Sequence, residues 1–253
     1  MYKVDLNSDL GESFGAYTIG MDAEVLQYTT SANVACGFHA GDPQVMEKTV
    51  RLAAEHGVGI GAHPGYPDLQ GFGRRAMALS PDEARACVMY QVGALQAFLR
   101  SEGVSLQHVK LHGALYNSAA VDAKLAHAVC EGIARVAPEA VLLGLSGSCM
   151  LTEAEKLGLR TCAEVFADRA YNDDGTLVSR RLPGAVLHDP ELAIARTVRM
   201  VREGVVESIQ GHLVPIRAES VCVHGDNSSA VAFVRQIHAA LEAAGVSVLS
   251  LGA

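Results

Sequence analysis

Histidines stand at the ends of several short β-rich runs of this sequence. Four of the ten follow such a run beside acidic, amide or glycine residues: His39, His63, His112 and His224. Histidines that meet carboxylates support two kinds of chemistry, a metal-held water that attacks a carbonyl carbon or metal-free acid and base catalysis. Both kinds are hydrolytic, so the sequence predicts a hydrolase.

Polar residues also alternate along the first run. Asp5, Asn7 and Asp9 are spaced two positions apart, so a strand sends all three side chains to one side. Inward polar groups are costly unless they are used, which favours a site. The alternative is that Asn7 and Asp9 only accept hydrogen bonds from loop amides.

Two further runs supply cationic residues. Lys110 precedes His112 by two positions, so both can point into a barrel, where a lysine loses its hydration. A buried lysine in a purely structural ion pair is the alternative. Glu164 and Asp168 come from a later run, and Arg169 beside them suits a carboxylate or a phosphate. Either cation could stabilise an oxyanion.

The elements that must position these residues alternate between strands and helices. The β-rich runs occupy residues 4–7, 31–36, 58–63, 109–112, 141–145, 161–166, 221–224 and 246–249. Near-continuous apolar strands separated by helices are typical of a parallel sheet covered on both faces. Polar residues follow most of these strands, as expected for a barrel, whose site is built from the ends of many strands. An open sheet instead places its site at the one point where the strand order reverses. We therefore predict an α/β fold, a TIM-like (β/α) barrel of seven or eight parallel strands.

Helix starts are marked by capping signals. Residues 80–100 show them best, because Ser80 is followed by a proline and, three positions on, by the glutamate of a capping box. Asp42 and Asp189 each precede a proline and are expected to cap two further helices in the same way. The alternative for Asp42 is a role in the site.

The chain shows no sign of a second domain. Its 253 residues are a usual length for one β/α barrel, and no low-complexity linker interrupts it, so we predict one domain over residues 1–253. A turn followed by two short apolar runs predicts a hairpin insertion around residues 172–188, which could help cover the site. Near the last helix, Asp226 or Asn227 is expected to act either as a cap or in the site.

Composition argues against several classes of partner. The formal net charge is −8 and no basic stripe is present, which disfavours nucleic acid and anionic membranes. No window approaches a membrane span, and the first residues form no apolar signal segment. The six cysteines contain no C-x-x-C pair, as expected for free thiols in a reducing compartment. We therefore expect a cytoplasmic enzyme with a small-molecule substrate.

Taken together, these runs resemble the LamB/YcsF family. The resemblance rests on ordered motifs at residues 5–12, 31–33, 35–42, 61–64, 112–117, 164–169 and 223–226. Two positions depart from the family pattern: Leu111 stands where proline is frequent, and Gly65 stands where serine is common. Neither change removes a polar ligand. The resemblance implies a barrel related to those of sugar deacetylases.

The resemblance also implies a reaction. Family members are expected to cleave 5-oxo-L-proline to L-glutamate with hydrolysis of ATP, together with two partner subunits, B and C, of a bacterial 5-oxoprolinase. An unstrained lactam is a poor electrophile, so phosphorylation of its carbonyl oxygen would create a leaving group, and this chain could then supply water and open the ring. Two rival functions are a metal-dependent deacetylase of an N-acetylated sugar and a non-catalytic carrier of substrate.

On this interpretation the candidate residues divide into two groups. The expected catalytic residues are Asp9, His39, His63, Lys110, Glu164 and Asp168. The residues expected to hold substrate are Asn7, Asn33, His112, Arg169 and His224. The sequence does not decide whether a divalent metal is bound; if one is, we expect Asp9, His39 and His63 to hold it.

Overall fold

A closed barrel forms the centre of the structure, a computed structural model that describes residues 2–224 and 228–251. Its strands are β1 (Tyr2–Leu10), β2 (Ser31–Ala35), β3 (Gly59–His63), β4 (His108–Lys110), β5 (Val141–Leu145), β6 (Arg160–Phe166), β7 (Val205–Glu207), β8 (Leu213–Pro215), β9 (Ser220–Val223) and β10 (Val246–Val248). Strands β1 to β6 pair in parallel in chain order, and β9 closes the ring by pairing with both β6 and β1. The predicted parallel barrel is confirmed, with seven strands in the ring that the described residues form.

Two predicted elements differ from what the structure contains. The last predicted strand, β10, lies outside the ring and, in the part of the chain that the structure describes, pairs with residues 2–4 of β1. The segment 172–188, where a hairpin was expected, contains no described strand, but single antiparallel bridges pair Tyr171 with Leu177 and Arg169 with Val186. The antiparallel ribbon among the described residues is instead formed by β7 and β8.

Helices cover the outside of the barrel. They are α1 (Asp22–Val25), α2 (Pro43–Glu55), α3 (Pro81–Ser101), α4 (Gly113–Val121), α5 (Ala123–Val136), α6 (Cys149–Lys156), α7 (Pro190–Glu203) and α8 (Ser228–Ala243). Ser80 forms the predicted capping box of α3, and the Asp42 and Asp189 side chains cap α2 and α7. Asp226 and Asn227 lie outside the described residues. No described helix is long and apolar enough to cross a membrane.

The barrel strands separate an apolar shell from a polar interior. On β1, Leu6 and Leu10 are buried in the main apolar cluster, which fills the space between strands and helices. The alternate residues Asp5 and Asn7 are equally buried, but they face inward and make hydrogen bonds to other barrel strands. The strand alternation read from the sequence therefore places the candidate residues inside the ring.

Candidate active site

A cavity of about 900 Å³ opens at the carboxyl ends of the barrel strands, where β/α barrels carry their sites. Six predicted site residues line it: Asp9, His63, Lys110, His112, Arg169 and His224. The other five lie behind this lining, and each contacts one of its members: Asn7, Asn33, His39, Glu164 and Asp168. The structure therefore gathers all the predicted residues around one cavity.

Lys110, at the end of β4, occupies the floor of the cavity and is only 2% exposed. Its Nζ lies 2.8 Å from Glu164 Oε1 and 3.0 Å from Asp9 Oδ1. It also donates to Asn7 Oδ1 at 3.1 Å. Burial works against the ammonium charge, but the Asp9 and Glu164 carboxylates outweigh it and hold the pKa of Lys110 well above its ordinary value. Lys110 is therefore a fixed cation that can stabilise developing negative charge.

Asp9 links Lys110 to the histidines. Its Oδ1 accepts hydrogen bonds from Lys110 Nζ and from Asn33 Nδ2, and its Oδ2 lies 3.3 Å from His63 Nε2. Burial alone would raise the pKa of Asp9, but the charges of His63 and Lys110 outweigh it and hold this pKa well below its ordinary value. Asp9 is therefore an anion that can orient a water or a cation, and it is a weak base.

Asn7 and Asn33, which were predicted to hold substrate, form a layer beneath Lys110 and lie behind the lining of the cavity. Asn7 Oδ1 accepts from Lys110 Nζ and Asn33 Nδ2, and Asn7 Nδ2 donates to Glu164 Oε1. Asn33 Oδ1 accepts from His108 Nε2 at 2.6 Å. Both asparagines are fully buried, and these bonds occupy both ends of each amide. Their role is to hold the lysine and its carboxylates in place.

Three histidines and Glu12 form a buried group on the other side of Asp9. His39 Nε2 lies 3.2 Å from Glu12 Oε1, and His112 Nδ1 lies 3.0 Å from His63 Nε2. The rings of His39 and His112 stack with their centroids 3.6 Å apart. Burial, reinforced by neighbouring histidines, holds the pKa of His39 and the pKa of His112 well below the ordinary value. Both side chains are therefore neutral and offer nitrogen lone pairs.

Two groups among the described residues could hold a metal ion, with ligand atoms within 4.8 Å of one another. One group consists of Glu12, His39, His63 and His112. The other consists of Asp9, Cys222 and His224. The set expected from the sequence, Asp9, His39 and His63, is thus divided between the two groups, because Glu12 and His112 take the places beside the two histidines.

His224 and Asp168 form a hydrogen-bonded pair in the part of the site that follows β9 and β6. Asp168 Oδ2 accepts from His224 Nδ1 at 2.8 Å. Burial lowers the pKa of His224, but Asp168 outweighs it and raises this pKa above the ordinary value. In turn, His224 lowers the pKa of Asp168 to about 2 against the effect of burial. Because the carboxylate occupies Nδ1, proton exchange at His224 would use Nε2, which lies 3.4 Å from Arg180 Nη2. Asp168 acts through His224.

Arg169 lines the cavity. The hydrogen bonds described for its side chain go to backbone carbonyl oxygens. Its Nε donates to Ala185 O at 3.3 Å, and its Nη2 donates to Val178 O at 2.6 Å. The side chain is only 4% exposed. These contacts fasten residues 178–185 beside the mouth of the cavity, and the role of Arg169 in holding substrate stays a prediction.

The family of the chain follows from its similarity to known proteins. The model of the LamB/YcsF family matches residues 4–253. The chain belongs to the LamB/YcsF family. It is 58% identical over 253 residues to the 5-oxoprolinase A subunit of Alkaliphilus metalliredigens (strain QYMF), covering 100% of this chain and 99% of that protein. It is 55% identical over 251 residues to the 5-oxoprolinase A subunit of Bacillus subtilis (strain 168), covering 99% and 98%.

A solved structure of a similar protein has the same fold. The crystal structure of the lactam utilization protein from Thermus thermophilus is 49% identical to this LamB/YcsF protein and matches it with a TM-score of 0.92. The match covers 98% of this chain and 100% of that chain. The family resemblance found in the sequence motifs is therefore confirmed.

Sequence reasoning about this LamB/YcsF protein gave no role to two residues that line the cavity, Glu12 and Tyr116. Glu12 contacts both His39 and His112. The Tyr116 hydroxyl donates to Glu164 Oε2 at 2.7 Å, and burial, followed by the Glu164 charge, raises the pKa of Tyr116 well above its ordinary value. Their positions carried a signal, because Glu12 ends the first polar motif and Tyr116 lies one helical turn beyond His112.

Arginines at the mouth were also missed. Besides Arg169, the lining includes Arg74, Arg75, Arg180 and Arg181. Arg75 is paired with Asp68, and Arg180 Nη2 lies 3.4 Å from His224 Nε2. Since the whole chain carries a net charge of −8, this local excess of cations stands out and favours an anionic ligand.

The loop between β3 and α3 covers the histidines. Phe72 O accepts from His112 Nε2 at 2.9 Å, and the Phe72 ring meets the His39 ring edge to face. Gly73 has a φ of +62°, and a Cβ there would lie 2.7 Å from both His39 Cβ and His112 Cδ2. Only glycine fits this position without displacing the histidines.

Proposed function

We propose that this protein opens the lactam ring of 5-oxo-L-proline (pyroglutamate) to give L-glutamate, as the A subunit of an ATP-dependent 5-oxoprolinase with partner subunits B and C. Relatives named as the A subunit of 5-oxoprolinase, at 55% and 58% identity over nearly the whole chain, support the proposal. So does the name of the Thermus thermophilus lactam utilization protein. The observation that carries it is the buried Lys110–Asp9 ion pair on the floor of a cavity lined by arginines.

The need for ATP follows from the substrate. Resonance makes an unstrained lactam a poor electrophile. A phosphoryl group on its carbonyl oxygen would make the carbonyl carbon more electrophilic. The sequence contains no G-x-x-x-x-G-K-[ST] motif, the familiar phosphate-binding loop. The cavity of about 900 Å³ has room for a phosphorylated substrate, since ligand pockets span roughly 300–1,000 Å³.

The residues of the cavity then take these roles in ring opening. The oxygen of a water molecule oriented by Asp9 bonds to the phosphorylated lactam carbon, and the electrons of the carbon–nitrogen double bond move to the ring nitrogen, which takes a proton from His224. As the attacking oxygen loses its protons, Lys110 stabilises the negative charge that develops on it. This oxygen then forms the new carbonyl group while the carbon–nitrogen bond breaks, and the nitrogen takes a second proton through His224. The two protons lost by the water replace the two that the nitrogen gains. The γ-glutamyl phosphate so formed reacts with a second water to give glutamate and inorganic phosphate.

The mouth of the cavity selects for charge. Arg180 and Arg181 lie on the segment that Arg169 fastens, and a guanidinium pairs well with a carboxylate or a phosphate. Both groups are present in phosphorylated 5-oxoproline. The six cysteines of the chain are free; together with the use of ATP, this supports action in the cytoplasm.

The test is glutamate formation from 5-oxoproline and ATP by this protein alone, by subunits B and C alone, and by all three together. We expect glutamate only from the complete mixture. Lys110→Met should remove it, whereas the exposed-lysine control Lys124→Met should not. Acetate release from an N-acetylated sugar by this protein alone, without glutamate formation, would instead support a deacetylase. Substrate binding with turnover that is indifferent to Lys110 would support a carrier.

A further inference from the structure

We propose that Glu12, His39, His63 and His112 together bind one divalent transition-metal ion, and that zinc is the best match. This binding site stands on its own geometry, and only its use in catalysis rests on the function proposed above. The four residues come from four places in the chain, namely the end of β3 and the segments that follow β1, β2 and β4.

The first argument is the direction of two lone pairs. His63 Nδ1 lies 2.8 Å from Lys110 O, and His112 Nε2 lies 2.9 Å from Phe72 O. A carbonyl oxygen can only accept, so each of these nitrogens carries its proton. The remaining nitrogens, His63 Nε2 and His112 Nδ1, then face each other at 3.0 Å. Two facing lone pairs repel unless a cation lies between or beside them, and that cation is either a proton or a metal ion.

The second argument is spacing. Zinc bonds to nitrogen or oxygen of about 2.0–2.1 Å in tetrahedral geometry place neighbouring ligand atoms about 3.3 Å apart. The separations here are 3.0 Å between His112 Nδ1 and His63 Nε2, 3.2 Å between His39 Nε2 and Glu12 Oε1, and 3.5 Å between His112 Nδ1 and Glu12 Oε1. These three separations match those that a bound ion would require, and all four ligand atoms lie within 4.8 Å of one another. Because the His39 and His112 rings stack in parallel with centroids 3.6 Å apart, one of the two rings must turn for both nitrogens to bind the same ion.

The third argument is the surroundings of the ligands. Metal-binding histidines usually donate their second ring N–H to a backbone carbonyl or carboxylate, which fixes the ring, and His63 and His112 both do so. His39 Nδ1 has no hydrogen-bond partner among the described residues, so no contact prevents the proton from moving there when Nε2 binds an ion. Three imidazoles and one carboxylate favour zinc over magnesium or calcium, which prefer oxygen ligands.

The second group of possible ligands, Asp9, Cys222 and His224, is a poorer candidate. Lys110 Nζ lies 3.0 Å from Asp9 Oδ1 and 3.1 Å from Cys222 Sγ. A fixed cation therefore already occupies the position from which a metal ion would attract those atoms. Burial raises the pKa of Cys222 well above its ordinary value, whereas a metal ligand must be a thiolate.

The experiment measures binding of ZnCl2 to the isolated full-length protein after removal of metals with a chelator, by calorimetry and by metal analysis. We expect one zinc per chain. His112→Ala and Glu12→Gln should each weaken binding at least about 10-fold, whereas His56→Ala, at the exposed histidine that follows α2, should not change it. With Co²⁺ as the probe, the spectrum should show ligand-field bands but no thiolate charge-transfer band.

Three results would overturn the proposal: no binding of zinc by the wild-type protein, equal binding by the wild type and Glu12→Gln, or loss of binding in Cys222→Ser but not in Glu12→Gln. Glu12→Gln keeps the size of the side chain, and circular dichroism confirms that each variant is folded. Because neither ATP, 5-oxoproline nor partner subunits are present, failure to bind zinc leaves the lactam-opening function untouched. Conversely, zinc binding without glutamate formation in the complete mixture would leave the site standing.

Discussion

Replacement of Lys110 by methionine separates the structural role of this residue from its chemical role. Methionine is unbranched and of similar length, so the variant loses the charge and keeps most of the packing. The buried carboxylates of Asp9 and Glu164, which lie 3.0 and 2.8 Å from Nζ, are left without their cation. Removal of one partner from a buried ion pair costs about 3–5 kcal/mol. Since domains are stable by about 5–15 kcal/mol, we expect the variant to fold with a lower free energy of unfolding.

The effect should depend on pH in a defined direction. In the wild type the pKa of Asp9 is depressed, so Asp9 contributes stability above its unfolded pKa of about 3.9, and this contribution is lost as the pH falls through the folded pKa. The variant lacks the Lys110 charge, which is one of the charges that depress this pKa. The difference in the free energy of unfolding between wild type and variant should therefore be largest at neutral pH and should decrease below about pH 4.

Two assays on the same samples test this prediction. Urea unfolding followed by circular dichroism gives the change in stability, and glutamate formation with the partner subunits gives the turnover number, which should fall about 10²–10³-fold if Lys110 stabilises an oxyanion. Adding Glu164→Gln to Lys110→Met should recover part of the stability but none of the turnover. A variant with the wild-type urea midpoint and full turnover would refute both roles.

Three further predictions concern other parts of the site and its frame. Asp168→Asn removes the carboxylate that raises the pKa of His224, so the alkaline limb of the kcat/KM profile should move to lower pH; an unmoved limb would exclude His224 as the proton donor. Arg169→Lys loses contacts to Val178 O and Ala185 O, so trypsin should cleave after Arg180 faster than in the wild type, and an unchanged rate would show that this segment is held by other contacts. Ser80→Ala removes the capping box of α3 and should lower the free energy of unfolding by about 1 kcal/mol with unchanged glutamate formation; lost activity would mean that α3 shapes the cavity.

The sequence predicted which residues meet because strand alternation is a local property. The period-two spacing of Asp5, Asn7 and Asp9 places them on one face whatever the rest of the chain does. How far each side chain lies from the mouth of the barrel, in contrast, is not set by the local sequence. Only Asp9 reaches the cavity, while Asn7 is sealed by partners from β4, β6 and β9, and the stagger between strands that decides this leaves no pattern in any single strand.

Loops were the other part that the sequence could not resolve. A turn followed by short apolar runs predicted a hairpin, whereas the path of residues 178–185 depends on where Arg169 donates its hydrogen bonds. Glu12 was missed for a similar reason. Its carboxylate reaches the histidines only because the chain turns after β1, at Gly11 with a φ of +68°, a conformation that favours glycine.

The closure of the barrel has a consequence for how the protein is made. Asp5 on β1 accepts a hydrogen bond from Ser220 on β9, 215 residues further along the chain. While the ribosome is still synthesising the middle of the chain, β1 therefore has one open edge, and Asp5 and Asn7 lack their partner on β9. Long-range parallel pairing is slow, and unpaired edges invite association with other chains. Nascent chains and fragments that stop before β9 should consequently depend on chaperones to avoid aggregation, and no fragment without β9 can assemble the site.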